Sequence, residues 1–308
     1  MVRLPPAPGA GHTIGIIAPA SPFDAERFEA GVSVIKELGF DVFVAEAVRE
    51  RTGYLAGADR QRAQLINELF ADPSIGAIWC ARGGYGSMRC LPFIDYAGIR
   101  ANPKILVGAS DATALLTSIY SRCGMPVVHG PMVVSLADAD EATRQSARRL
   151  FESNEVPGIS ADPTTVICGG SARGPILGGN LTTLAHLIGT AFEPDFSGHL
   201  LFLEDIGEAP YRIDRMLTQL KMAGKFSSVT GLALGRFSNC GRPADILEIV
   251  EGICGDLGIP ILAGIPAGHG LPNMMVPMGV AAELDAEAGR ISYHGPLFDR
   301  PPPGQPAF

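Results

Sequence analysis

Charge is scarce in this 308-residue chain. Charged residues make up 18%, with 24 Lys and Arg against 32 Asp and Glu, a formal balance of −8. Basic residues form no cluster, so no nucleic-acid partner is expected. No apolar run approaches the roughly 18 residues that would span a bilayer, and no membrane association is expected. The start, "MVRLPPAPGAGHTIGIIAPAS", lacks the continuous apolar region of a secretion signal; a cytoplasmic protein is expected. There is no C-x-x-C pair among Cys80, Cys90, Cys123, Cys168, Cys240 and Cys254, and the six histidines are scattered. Neither a metal site nor a cofactor is therefore expected, and the cysteines read as buried free thiols. There is no internal repeat. The "PPPGQPAF" tail reads as disordered.

What is abundant is apolar: 46% of residues, enough for a large core in one large or two ordinary domains. The first half alternates strand and helix. Apolar runs at 12–20, 40–48, 75–81, 105–107 and 125–130 read as strands. Between them, "DAERFEAGVSVIKELG" and "ADRQRAQLINELFAD" carry apolar residues at helical spacing. This predicts a parallel, flavodoxin-like α/β sheet over 1–135, with ligands beyond the carboxyl ends of its strands. A polar helix and a Pro/Gly-containing stretch over 136–172 read as an interdomain crossing. The segment 173–308 reads as a mixed α/β domain with antiparallel character, and "VPMGVAAELDAEAGRISYHG" as a hairpin turned at "AEAG".

"ILVGASDATALL" places Ser110 on a strand-to-helix corner flanked by small residues. Such a turn resembles the nucleophile elbow G-x-S-x-G, with Ala112 in place of the second glycine. The amides at the helix start could stabilise an oxyanion; the plainer alternative is that Ser110 caps the helix. A serine nucleophile needs a base and an orienter. His186 reads as a packed core residue, and His199 and His294 as exposed. His129 ends a strand at the same sheet edge, and His269 stands between two glycines on a loop, making it the better base. Glu204 ends an apolar strand, where an acid is costly without a partner. That partner could be His269, or simply Arg212 or Arg215.

In this order along the chain, "RGGYGSMRCLPFIDY", "ILVGASDATALL", "LLFLEDIGEAPYRIDRML" and "IPAGHG" resemble the serine LD-carboxypeptidase family. That family includes the muramoyl-tetrapeptide carboxypeptidases of bacterial cell-wall recycling. The resemblance implies a Ser110–His269–Glu204 triad assembled across two domains, with the backbone N–H groups of Gly84 and Asp111 as oxyanion donors. It also implies a homodimer. The implied reaction is hydrolysis of the L,D bond between meso-diaminopimelate and terminal D-alanine in murein tetrapeptides. Arg82, Tyr85 and His129 are candidate substrate contacts. The related microcin-immunity branch, which hydrolyses peptidyl- or aminoacyl-nucleotides, is the alternative enzyme. A non-catalytic small-ligand sensor is the alternative of another class.

Overall fold

The computed structural model describes residues 3–8, 12–152, 156–161 and 165–299. The tail expected to be disordered, 301–308, lies outside them. In chain order the first half runs β1 (Thr13–Ile17), α1 (Ala25–Glu37), β2 (Asp41–Val44), α2 (Asp59–Ala71) and β3 (Ile75–Cys80). It continues through α3 (Ser87–Cys90), α4 (Tyr96–Ala101), β4 (Ile105–Gly108), α5 (Thr113–Cys123), β5 (Val127–His129) and α6 (Val133–Leu136). The helices form where the sequence provides both a stripe and a cap. In α1, Phe28, Val32 and Ile35 are buried, and the Asp24 side chain accepts from the Arg27 amide. Helix α5 ends at Gly124 in the left-handed conformation.

The strands of this half pair parallel in the order β2-β1-β3-β4-β5, the flavodoxin-like order expected. Its switch point lies between β1 and β3. The loops leaving those two strands clasp each other: Ser21 N donates to Gly83 O at 3.2 Å, and Tyr85 N to Ser21 Oγ at 3.1 Å.

The rest of the described chain comprises α7 (Glu141–Glu152), β6 (Ile159–Ser160), β7 (Val166–Cys168), β8 (Ser171–Asn180), α8 (Leu181–Leu187), β9 (Leu200–Ile206) and α9 (Pro210–Met222). It ends with β10 (Gly231–Ser238), α10 (Pro243–Cys254), β11 (Ile261–Ala263), β12 (Val276–Met278), β13 (Ala281–Asp285) and β14 (Arg290–Tyr293). A second sheet has the order β6-β14-β13-β8-β9-β10-β11-β7, parallel across β8–β11 and antiparallel at both flanks. The mixed α/β architecture with antiparallel strands is the one the sequence predicts.

Only β13 and β14 form the expected terminal hairpin. The three residues of β12 leave it and pair antiparallel with β5, placing Val276 opposite His129 at the edge of the first sheet. Strand pairing depends on edge complementarity between segments far apart in sequence, which local periodicity does not encode. One apolar cluster accordingly runs from the first sheet into the second, through Phe202, Leu262, Ile265 and Val276.

Candidate active site

Ser110 has φ +58°, a left-handed conformation shared with only Asn239 among the described non-glycine residues. L-residues pay for that conformation, and it recurs where a side chain must be held on a sharp turn. Residues 110–112 form one 3₁₀ turn before α5, and no side chain caps either segment. Ser110 is therefore not the helix cap. The small neighbours are required: a Cβ at Gly83 would lie 2.8 Å from Ser110 Oγ.

Asp111 faces the other way. Its Oδ2 accepts from Ser87 N at 2.7 Å, capping α3 and tethering the "RGGYGS" loop to the elbow. Burial raises its pKa, and the bonds from Ser87 and Gly86 oppose that rise. Sequence patterns missed the partner that holds the same loop from below. Arg62 is 5% exposed. Its Nη1 donates to Pro19 O, and to Gly86 O at 3.0 Å; its Nε donates to Gly57 O at 3.2 Å, and its Nη2 pairs with Asp59 at 2.5 Å. The signal was present: Arg62 shares the stripe of Leu65, Ile66 and Leu69, where a cation must find buried acceptors.

Glu204 lies near the carboxyl end of β9 and is fully buried. Its Oε2 is 2.7 Å from His269 Nδ1, so its partner is the histidine rather than Arg212 or Arg215. Arg212 pairs with Glu208 instead. Burial alone would raise the Glu204 pKa; the hydrogen bond and charge of His269 outweigh it, and the pKa falls below the usual value. Burial alone would depress His269, and Glu204 outweighs that too, leaving the imidazole pKa raised. An ionised Glu204 accepts the Nδ1 proton, which leaves the Nε2 lone pair available.

The loop carrying His269 is fastened at several points. Gly268 N donates to Asn273 Oδ1 at 3.0 Å, Asn273 N to Thr143 Oγ1 at 2.8 Å, and Ser238 Oγ to His269 O. A Cβ at Gly268 (φ +109°) would strike Glu204 at 2.7 Å, so only glycine lets the loop approach. Asp205 orients the other side of the strand end: Oδ1 accepts from Asn180 Nδ2 at 2.9 Å, and Oδ2 from Thr182 N at 2.9 Å.

The two sheets meet here. Asn180 N donates to Thr113 Oγ1 at 3.1 Å, tying β8 to the first turn of α5. Ala109, Met132 and His269 line one cavity of about 290 Å3. Ser110 Oγ and His269 Nε2 make no direct hydrogen bond among the described residues. Such contacts commonly close only around substrate.

His129 is fully buried, packs edge-on against Phe202 at 5.1 Å, and has no partner for either ring nitrogen among the described residues. Burial pushes its pKa down to about 4, so the ring is neutral. Arg82 and Tyr85 are exposed beside Gly84; Arg82 donates to Pro22 O, and Tyr85 lies 5.9 Å from the Tyr54 ring. His186, expected in the core, is exposed at the surface of the short helix α8 and bonds to Thr182 O. His199 is half-buried, 2.9 Å from Tyr120 OH. The six cysteines are free thiols, five of them buried. No group of three potential metal ligands occurs among the described residues, and none of their helices is long and apolar enough to cross a membrane.

Residues 14–130 match the model of the LD-carboxypeptidase N-terminal domain, and residues 173–284 that of the LD-carboxypeptidase C-terminal domain. A probable murein peptide carboxypeptidase of Bacillus subtilis is 39% identical over 290 residues, covering 91% of each chain. The murein tetrapeptide carboxypeptidase of Pseudomonas aeruginosa is 34% identical over 288 residues, covering 88% of this chain and 92% of its own. Among solved structures, MccF in complex with glutamyl sulfamoyl guanosine superposes with a TM-score of 0.88 at 26% identity, covering 96% of this chain and 99% of its own. The muramoyltetrapeptide carboxypeptidase of Oxalobacter formigenes superposes with a TM-score of 0.82 at 31% identity, covering 91% and 97%. This chain belongs to the LD-carboxypeptidase family, the serine carboxypeptidases that its four ordered motifs resemble.

Proposed function

We propose that the protein releases terminal D-alanine from murein tetrapeptides by cleaving the L,D bond after meso-diaminopimelate. The observation that carries this is the 2.7 Å bond between buried Glu204 and His269, whose cavity is also lined by Ala109, the chain neighbour of the strained Ser110. Ser110 Oγ attacks the penultimate carbonyl, and His269 Nε2 takes its proton. Glu204 holds the ring and stabilises the imidazolium. The amides of Gly84 and Asp111 bind the oxyanion. His269 then protonates the departing amine, and water activated by the same ring resolves the acyl-enzyme. No metal or cofactor enters these steps.

The division of the chain at 136–172 is proposed on the same footing; the two family matches, 14–130 and 173–284, support it. A cytoplasmic homodimer acting on murein fragments completes the proposal, and sedimentation of the purified protein tests the dimer.

The experiment is D-alanine release from L-Ala-γ-D-Glu-meso-diaminopimelate-D-Ala by wild type and Ser110→Ala. Release that falls at least about a thousandfold in the mutant is expected. The likeness to MccF makes a sulfamoyl-adenylate conjugate the second substrate in that assay. Turnover of the conjugate alone would replace the carboxypeptidase reading.

A further inference from the structure

A carboxypeptidase must recognise a free terminal carboxylate, and neither Ser110, His269 nor Glu204 supplies a fixed cation for it. Because His269 protonates the departing amine, the leaving residue has to sit within reach of its Nε2. The cavity of about 290 Å3 that His269 lines is the space on that side, near the small end of ligand pockets and suited to one small residue. Arg27 is the only Lys or Arg among the described residues lining it.

We propose that Arg27 binds the free carboxylate of the leaving D-amino acid, making this cavity the leaving-group subsite. The inference rests on the D-alanine release proposed above. Arg27 lies in the first turn of α1, on the same helix face as Gly31. A Cβ at Gly31 would overlap Val133 O at 1.9 Å, so glycine lets α1 lie directly on α6. That contact brings the Arg27 guanidinium to the cavity wall. Its Nη2 meets Val134 O at 3.5 Å and the carboxylate of Asp138. Both contacts use one nitrogen, so Nε and Nη1 each retain N–H donors, on separate edges of the guanidinium, for charge-assisted hydrogen bonds to a carboxylate. Asp138 also lines the cavity and holds the guanidinium at its edge. Arg236, the other cation near the His269 loop, donates to Pro272 O and lines a separate cavity.

The test compares kcat/KM on the tetrapeptide and on its C-terminal carboxamide for wild type, Arg27→Gln and Arg27→Lys. The ratio of the two substrates does not depend on the folded fraction of each preparation. Wild type should prefer the free acid by about a hundredfold, the scale of a charge-assisted hydrogen bond lost from a cavity. Arg27→Gln should lose at least about tenfold of that preference, chiefly through KM on the acid, and Arg27→Lys should fall between the two. An active wild type with no preference, or a preference that falls less than tenfold in Arg27→Gln, overturns the role of Arg27 alone. A wild type that cleaves neither substrate overturns the proposed reaction and this subsite together.

Discussion

Glu204 and His269 fix each other's charge. The carboxylate is held ionised despite complete burial, and the imidazole pKa is lifted above its ordinary value by that carboxylate. In the proposed mechanism His269 acts as a base only when neutral, so activity should fall as pH drops through this raised pKa. Glu204→Gln removes the charge and lets an amide N–H face Nδ1, which favours the wrong imidazole tautomer. The acidic limb of the kcat/KM profile should then move to lower pH, while kcat falls by about a thousandfold or more; a pH–rate series on both proteins checks the two effects. At this scale the sequence was legible where a residue broke its local pattern. An acid ending an apolar strand and a histidine between glycines both did so. His186 was misread because its helix is only seven residues long, and apolar neighbours in so short a helix do not fix which face is inward.

Among the elements, the loop after β3 is held by side chains that are not expected to touch substrate. Asp111 caps it from the elbow, Ser21 supports it from the loop after β1, and Arg62 bonds its Gly86 carbonyl from α2. Replacing Arg62 with Met leaves the carbonyls of Pro19, Gly57 and Gly86 short of a donor. The protein should lose about 3 kcal/mol of stability, read from urea unfolding. In the folded fraction, kcat should fall with little change in KM, because the Gly84 amide, the proposed oxyanion donor, shifts while the cavity around Arg27 stays. Arg62→Lys should recover part of the stability and less of kcat, since one ammonium cannot reach all three carbonyls. The alternation of strands and helices was readable from period and punctuation. For the staple only half was readable: the stripe marks Arg62 as buried, but its acceptors, some from other loops, leave no local mark.

For the whole molecule, β12 is the element that makes the two sheets one object. It departs from the loop after His269 and closes the edge of the first sheet on β5, where Val276 is fully buried opposite His129. Val276→Asp would place a carboxylate between the sheets, and a loss of about 3–5 kcal/mol is expected. Denaturant unfolding followed by Trp79 fluorescence, which reports the first sheet, and by circular dichroism should coincide in the wild type. A first sheet that survives alone in either protein would contradict this coupling. None of this was visible in the segment "VPM", which reads as the start of a hairpin, because pairing with a strand nearly 150 residues earlier leaves no local mark.

The same crossing sets an order on the ribosome. Ser110 and its elbow emerge long before His269, but β5 stays an open edge until residues 276–278 follow. His269 arrives only a few residues before them. A nascent or truncated chain thus carries Ser110 without the histidine proposed as its base, and the strand that seals the first sheet is made almost together with that histidine.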